Sequence, residues 1–183
     1  MSRIPTPATV ADAPATTQPL LETVGKQLGS VPNLFRIIAN SPAGLEGYLG
    51  LSAALGKGTL DVRTRQRLAI AVAERNGCDY SLSAHTYLGK HVARLDDAEL
   101  AANRDAASSD AKARAALAFA TAVVRERGHV SAAEVAAVKA AGYDDGQVVE
   151  IILHVALNTL TNYVNTALAT EVDFPLVATR GAH

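Results

Sequence analysis

An all-α, single-domain fold is what this sequence predicts, and three observations carry the prediction. Hydrophobic residues make up 49% of the chain, yet aromatic residues are only 4% and there is no Trp. Much of the apolar content is therefore alanine, which loses no side-chain entropy in a helix and lets helices approach closely. Helix start and stop signals recur along the length, and no stretch alternates apolar and polar residues with the two-residue period of a half-buried strand. At 183 residues the chain suits one domain, and a chain of this size buries roughly two-thirds of its unfolded surface without a disulfide staple.

The elements follow in order. Residues 1–17 read as a flexible N-terminal tail, because Pro5, Pro7 and Pro14 interspersed with Thr and Ala are a poor basis for regular structure. The helical domain occupies 18–183. Its first helix runs from about Leu20 to Leu28 and stops at Gly29; after Gly29-Ser30-Val31-Pro32, Asn33 begins a short helix through Ile38. Ser41-Pro42 is an N-cap followed by proline at the first helical position, and that helix extends to about Leu55, where Gly56 and Gly58 punctuate it. Asp61 caps a helix that passes Leu68, Ile70, Val72 and Glu74 and stops at Asn76-Gly77. The next begins at Cys78 or Asp79 and continues to about Ala93. Asp96 to Glu99 opens a short helix, and Asp110 opens one that ends at Arg127-Gly128 with basic residues where the helix dipole favours them. Ser131 to Glu134 is a capping box for a helix closing at Gly142.

The last helix, from Asp144-Asp145 to about Thr170, carries Val148, Val149, Ile151, Ile152, Leu153, Val155, Leu157, Leu160, Val164 and Leu168. That apolar surface is wider than the single stripe of a surface helix. It is expected to be buried on several sides, either centrally or at a subunit interface, so self-association is expected.

Composition disfavours several function classes. The formal net charge is −1 with Lys and Arg dispersed, which is not the basic footprint of a nucleic-acid binder or a polybasic membrane anchor. No apolar run approaches the ~20 residues that span a bilayer, and the N-terminus lacks the pattern of a signal peptide, so a cytoplasmic location is expected. The single Cys excludes an intrachain disulfide. With scattered His residues it supplies too few ligands for a metal site, and no metal or other cofactor is expected.

Chemistry concentrates in Glu74-Arg75-Asn76-Gly77-Cys78-Asp79-Tyr80-Ser81-Leu82-Ser83-Ala84-His85. Cys78 falls at a helix N-terminus, where unpaired N–H groups favour a thiolate. Positions 78, 81 and 85 are three and four apart, so a thiol, a hydroxyl and an imidazole share one helix face, as a nucleophile and its proton-transfer partner require. Spacing alone leaves the bland alternative open, a small buried Cys and a structural His. Glu74 could supply a carboxylate near the site, against the reading of a solvated last-turn residue. His154, with Asn158 one turn later on the apolar last helix, is a second candidate, for which simple hydrogen-bond satisfaction is the more ordinary account. Tyr80 and Tyr87 are expected to wall the pocket. His91, His129 and His183 are assigned no role.

This stretch resembles the AhpD-like and carboxymuconolactone decarboxylase-like family, whose mark is Cys-x-x-Cys-x-x-x-His after an alanine-rich helix. Gly29 to Arg36, Asn40-Ser41-Pro42, Asn162 to Asn165 and Glu171 to Pro175 resemble its peroxidase-related branch. The likeness covers about residues 20–176. It implies an AhpD-like helical bundle and an alkylhydroperoxidase-like thiol peroxidase that reduces organic hydroperoxides without a cofactor. The implied partners are a small-molecule hydroperoxide, a dithiol protein or small thiol as reductant, and further copies of the chain, as a trimer or hexamer or as a dimer.

In that family the second Cys is the peroxidatic thiol, the first resolves its sulfenic acid, and the His, with a Glu twelve residues before the first Cys, relays the proton. The resemblance therefore puts Cys78 in the resolving place and His85 in the relay place. Two positions depart: Ser81 stands in the peroxidatic place and Gln66 in that of the Glu. A serine cannot pass to a sulfenic acid and disulfide, and Gln66 can orient His85 but cannot accept its proton. The chain as written is expected to be inactive or impaired in the dithiol cycle. Ser81 reads either as an engineered Cys→Ser change or as a natural residue, with Cys78 then working alone or the activity lost. The alternatives are a cofactor-free acid/base lyase of the carboxymuconolactone decarboxylase type and a non-catalytic oligomeric binding module.

Overall fold

The computed structural model describes residues 2–181, and all regular structure in them is helical. After a short 3-10 turn at Val10–Asp12 come α1 (Gln18–Leu28), α2 (Asn33–Ile38), α3 (Pro42–Gly56), α4 (Val62–Arg75), α5 (Asp79–His91), α6 (Asp97–Arg104), α7 (Ala111–Arg125), α8 (Ala132–Ala140) and α9 (Asp145–Leu168). The all-α expectation holds. Helix starts fall where short polar side chains can accept from exposed N–H groups: Ser41, Asp61, Asp96, Asp110, Ser131 and Asp144 each accept a first-turn backbone N–H.

The middle of the fold is α4, against which α5, α6, α7 and α9 all pack. From Leu68 to Ala73 no residue of α4 is more than 3% exposed, and small Ala69, Ala71 and Ala73 between larger residues permit that crowding. Leu68 and Val72 join Leu117, Phe119 and Ile151 in one core cluster, and Ile70 and Ala73 join Leu82, Leu95 and Leu100 in another. A third cluster, built from α1, α2 and the N-terminal halves of α3 and α5, contains Cys78, Tyr80 and Ala84. Thus α5 joins two cores by its two faces, and its N-terminus is held between them.

One buried charge network braces α4 against α6. Arg67 Nε donates to Glu99 Oε1 at 2.9 Å, and Glu99 also accepts from Ser108, Ser109 and Asn103. Although burial opposes its charge, these hydrogen bonds hold the Glu99 carboxyl down to about 2.

Within one chain the last helix is buried on one side only. Its inward side carries Val148, Ile151 and Val155, and then His154, Asn158, Thr161, Asn162 and Asn165, all buried. Val149, Ile152, Leu153, Leu160 and Tyr163 face outward, with Tyr163 64% exposed. The apolar surplus of α9 is therefore on the protein's outside, while its polar residues face the interior beside α5.

Both irregular ends lie against the body. Residues 2–17, read as a tail, have Ala13 and Thr17 buried, and Arg3 N donates to Leu168 O at 2.7 Å. At the other end, Val177 N donates to Ser83 Oγ at 2.9 Å and Thr179 N to Asp79 Oδ1 at 2.8 Å. His183 lies outside the described residues.

Candidate active site

Gly77 makes the site possible. It ends α4 with φ 65°, a left-handed conformation that glycine adopts at little cost, and Cys78 N turns back to donate to Ala73 O at 3.0 Å. Cys78 thereby becomes the N-cap of α5, its Sγ accepting from Ser81 N at 3.5 Å. The thiol in turn donates to Ser81 Oγ at 3.3 Å. Asn165 Nδ2 on α9 donates to the same oxygen at 3.3 Å. With both lone pairs of Ser81 engaged, its own O–H remains to donate.

Ser81 and His85 line a cavity of about 310 Å³ between α3, α4, α5 and α9. Gln66 and Arg65 reach it from α4, Tyr48 from α3, Tyr80 from α5, and His154, Asn158 and Thr161 from α9. His85 Nδ1 donates to Gln66 Oε1 at 2.9 Å; an amide oxygen can only accept, so the proton sits on Nδ1 and Nε2 keeps its lone pair. Burial, reinforced by His154, holds the His85 imidazole down to about 4. Burial and then the Arg65 guanidinium do the same to His154, also to about 4, with Glu150 pulling weakly the other way. Both rings are neutral near pH 7. Arg65 is the one charged side chain among the described residues that line the cavity.

The expected thiol–hydroxyl–imidazole constellation is thus brought together in part. Cys78 touches Ser81 and Ser81 shares the cavity with His85, but Cys78, 2% exposed, lines a different hollow with Asp79, Asn165 and Thr170. Gln66 is where an orienting partner of His85 must be. Glu74 is not in the site. Its carboxylate accepts from Arg104 Nε at 2.6 Å and from Arg180 N at 2.8 Å, because position 74 lies on the face of α4 turned towards α6 and the C-terminal segment. Tyr80 walls the cavity as expected, with its hydroxyl accepting from Leu34 N at 3.0 Å. Tyr87 does not; it is 42% exposed and stacks with His91 and Phe174. His91 and His129 are exposed.

Sequence reasoning undervalued His154 and missed Asn165 and Arg65. Asn158 Nδ2 donates to the backbone oxygen of His154 at 2.7 Å, not to its ring, and the ring Nε2 has no partner. The available signal was the run His154, Asn158, Thr161, Asn165: polar residues three and four apart on an otherwise apolar helix. No group of His, Cys, Asp and Glu among the described residues is arranged to hold a metal ion.

The architecture is that of an all-α AhpD-like domain with a helix-start thiol and a one-face imidazole. The family model for the Carboxymuconolactone decarboxylase family matches residues 42–122, which include α4, α5 and the whole of the segment from Gln66 to His85. An uncharacterized peroxidase-related protein from Ralstonia eutropha JMP134, described as an alkylhydroperoxidase AhpD core, superposes with a TM-score of 0.83 at 25% identity over 94% of this chain and 92% of that one. A peroxidase-related protein from Silicibacter sp. TM1040 gives 0.81, also at 25% identity, over 93% and 91%. The debrominase Bmp8, solved with 2,3,4-tribromopyrrole, shares the fold with a TM-score of 0.79 at 21% identity over 94% of both chains. No curated protein matches the sequence. Residues 42–122 thus match the Carboxymuconolactone decarboxylase family, and the chain as a whole is similar to AhpD-like peroxidase-related proteins.

Proposed function

We propose that this chain carries the site of an alkylhydroperoxidase-like thiol peroxidase with serine in the place of the attacking sulfur, so that it is inactive or strongly impaired in the dithiol cycle as it stands. One observation carries the reading: Ser81, not Cys78, lines the cavity that holds His85, and the Cys78 sulfur stands 3.3 Å behind it. A thiol at position 81 would face an entering hydroperoxide beside a neutral imidazole, with a second sulfur on its far side.

The chemistry assigned to that pair is balanced. His85 takes the thiol proton, and the thiolate attacks the terminal oxygen of ROOH. The O–O bond breaks, sulfenic acid forms, and the alkoxide recovers the proton from His85 as alcohol. Cys78 gives up its thiol proton as it attacks the sulfenic sulfur, the departing hydroxide takes up that proton and leaves as water, and an external dithiol reduces the disulfide. A thiol-reducing, cytoplasmic setting goes with this chemistry. A homo-oligomer is part of the reading too, supported by the outward stripe of Val149, Leu153, Leu160 and Tyr163 on α9.

The test is direct. The Ser81→Cys variant is expected to consume cumene hydroperoxide with dithiothreitol, and Cys78→Ser or His85→Ala in that background to abolish the consumption. Absence of turnover by Ser81→Cys overturns the reading.

A second reading is favoured by one observation: two neutral imidazoles line the cavity while the thiol lies outside its lining. That suits cofactor-free acid/base chemistry of the lyase type, which predicts an activity indifferent to alkylation of Cys78.

A further inference from the structure

One polar side chain in the cavity wall is left without a role by the peroxidase reading. His154 is 6% exposed and lines the cavity, yet its Nε2 has no hydrogen-bond partner. A buried polar atom without a partner carries an uncompensated desolvation cost, and such atoms in native folds call for an explanation. Local partners do not supply one. Glu150, one turn earlier on α9, is engaged by Thr59 N at 2.9 Å and Leu60 N at 3.0 Å. Asn158 is engaged by the His154 carbonyl.

The charged and titratable groups facing His154 come from each element around the cavity: Arg65 on α4, His85 on α5, Tyr48 on α3 and Glu150 on α9. Burial holds Tyr48 protonated, pushed up to about 12. His85 already spends its Nδ1 proton on Gln66. The cavity wall thus offers a ligand two neutral imidazoles, a free Ser81 hydroxyl proton and one cation, with apolar Leu34, Val62 and Leu157 between them.

We propose that His154 is a second ligand-contacting residue of this cavity, accepting a hydrogen bond from the O–H of a compact, neutral organic molecule whose apolar body rests on Leu34 and Leu157. The ligand class is a small organic hydroxyl or hydroperoxyl compound. This deepens the peroxidase reading, since an alkyl hydroperoxide and its product alcohol both carry that group. It needs no thiol, so it is tested apart from turnover. A neutral His154 supplies the lone pair at neutral pH, because burial and then the Arg65 guanidinium disfavour its protonation.

The probe is 2-phenyl-2-propanol, the alcohol corresponding to cumene hydroperoxide, titrated into the unsubstituted protein and followed by NMR chemical shifts. Saturable binding with shifts of the His154 and His85 ring signals is expected. His154→Phe should weaken binding by about tenfold, the loss of one buried hydrogen bond, while His154→Gln, which keeps an acceptor, should stay within about threefold. Isopropylbenzene, which lacks the hydroxyl, should bind the parent and His154→Phe alike. The proposal is overturned if the alcohol does not bind the parent protein. It is equally overturned if folded His154→Phe binds the alcohol undiminished, or if isopropylbenzene loses as much as the alcohol, which would mean a packing role. A Ser81→Cys variant without peroxidase turnover would sink the peroxidase reading and leave these binding results standing.

Discussion

Cys78 Sγ lies 3.3 Å from Ser81 Oγ, and the two side chains line different hollows. The contact follows from the cap: Cys78 stands just outside the first turn of α5, so its side chain folds back towards position 81 while the body of that helix carries Ser81 and His85 round to the cavity. Positions 78 and 81 are therefore coupled without being equivalent. Only the second meets a molecule entering beside His85.

That division makes the partner of His85 a sensitive point. Gln66 is neutral and holds the ring by one hydrogen bond at 2.9 Å. Gln66→Glu places a carboxylate at the same distance, which favours the imidazolium, so the His85 pKa should rise from about 4. An NMR pH titration of the ring protons checks this, and an unchanged or lower value would contradict the geometry.

Two depressed histidines also make stability depend on pH. His85 and His154 sit at about 4 in the fold against an ordinary value of 6.5. Above 6.5 neither state binds the proton and the fold is unpenalised. As pH falls from 6.5 to about 4 the unfolded chain takes up protons that the folded chain refuses, and stability is lost. Each unit of such a shift is worth about 1.4 kcal/mol, so the midpoint of thermal unfolding should drop by several degrees across this window. Glu99 adds a separate loss only below about 4.5, where its carboxylate begins to be protonated in the unfolded chain. His154→Gln should flatten the upper window. Equal slopes for parent and variant would show that His154 is not the group responsible.

Glu74 predicts stability and not activity. Its carboxylate ties Arg104 and the Arg180 backbone to α4, and hydrogen bonds to charged groups contribute about 1.5–3 kcal/mol each. Glu74→Gln should lower the free energy of urea unfolding by an amount of that order and leave the binding of 2-phenyl-2-propanol unchanged. A loss of binding without loss of stability would return Glu74 to the site.

The outward face of α9 predicts an interface. Val149 is 55% exposed, Leu160 42% and Tyr163 64%, on one side of the helix. Light scattering after size exclusion should give more than one subunit for the parent chain, and Leu153→Glu combined with Leu160→Glu should shift it towards one. A monomeric parent would remove the homo-oligomer from the proposal.

The helices were legible because their signals are local. Ser41, Asp61, Asp96, Asp110, Ser131 and Asp144 act within three residues of themselves, and the structure shows each accepting the N–H that its position implies. The N-terminal cap position of Cys78, the shared face of Ser81 and His85, and the capacity of Gln66 to orient His85 were legible for a similar reason, joined by one resemblance. Glu74 was misread because its partners, Arg104 and Arg180, are 30 and 106 residues away. No spacing rule within a helix reaches them.

By itself the sequence determined an all-α chain, the order of its helices, a thiol at the start of one and an imidazole two turns on. Hydrogen-bond capping and the 3.6-residue period act over a single turn and need nothing else. The tertiary structure alone decided that α9 turns His154, Asn158 and Asn165 inward and Val149, Leu160 and Tyr163 outward, and that the cavity opens on Ser81 and away from Cys78. Both outcomes depend on which faces of α3, α4, α5 and α9 meet, and that is set by the packing of side chains far apart in the chain.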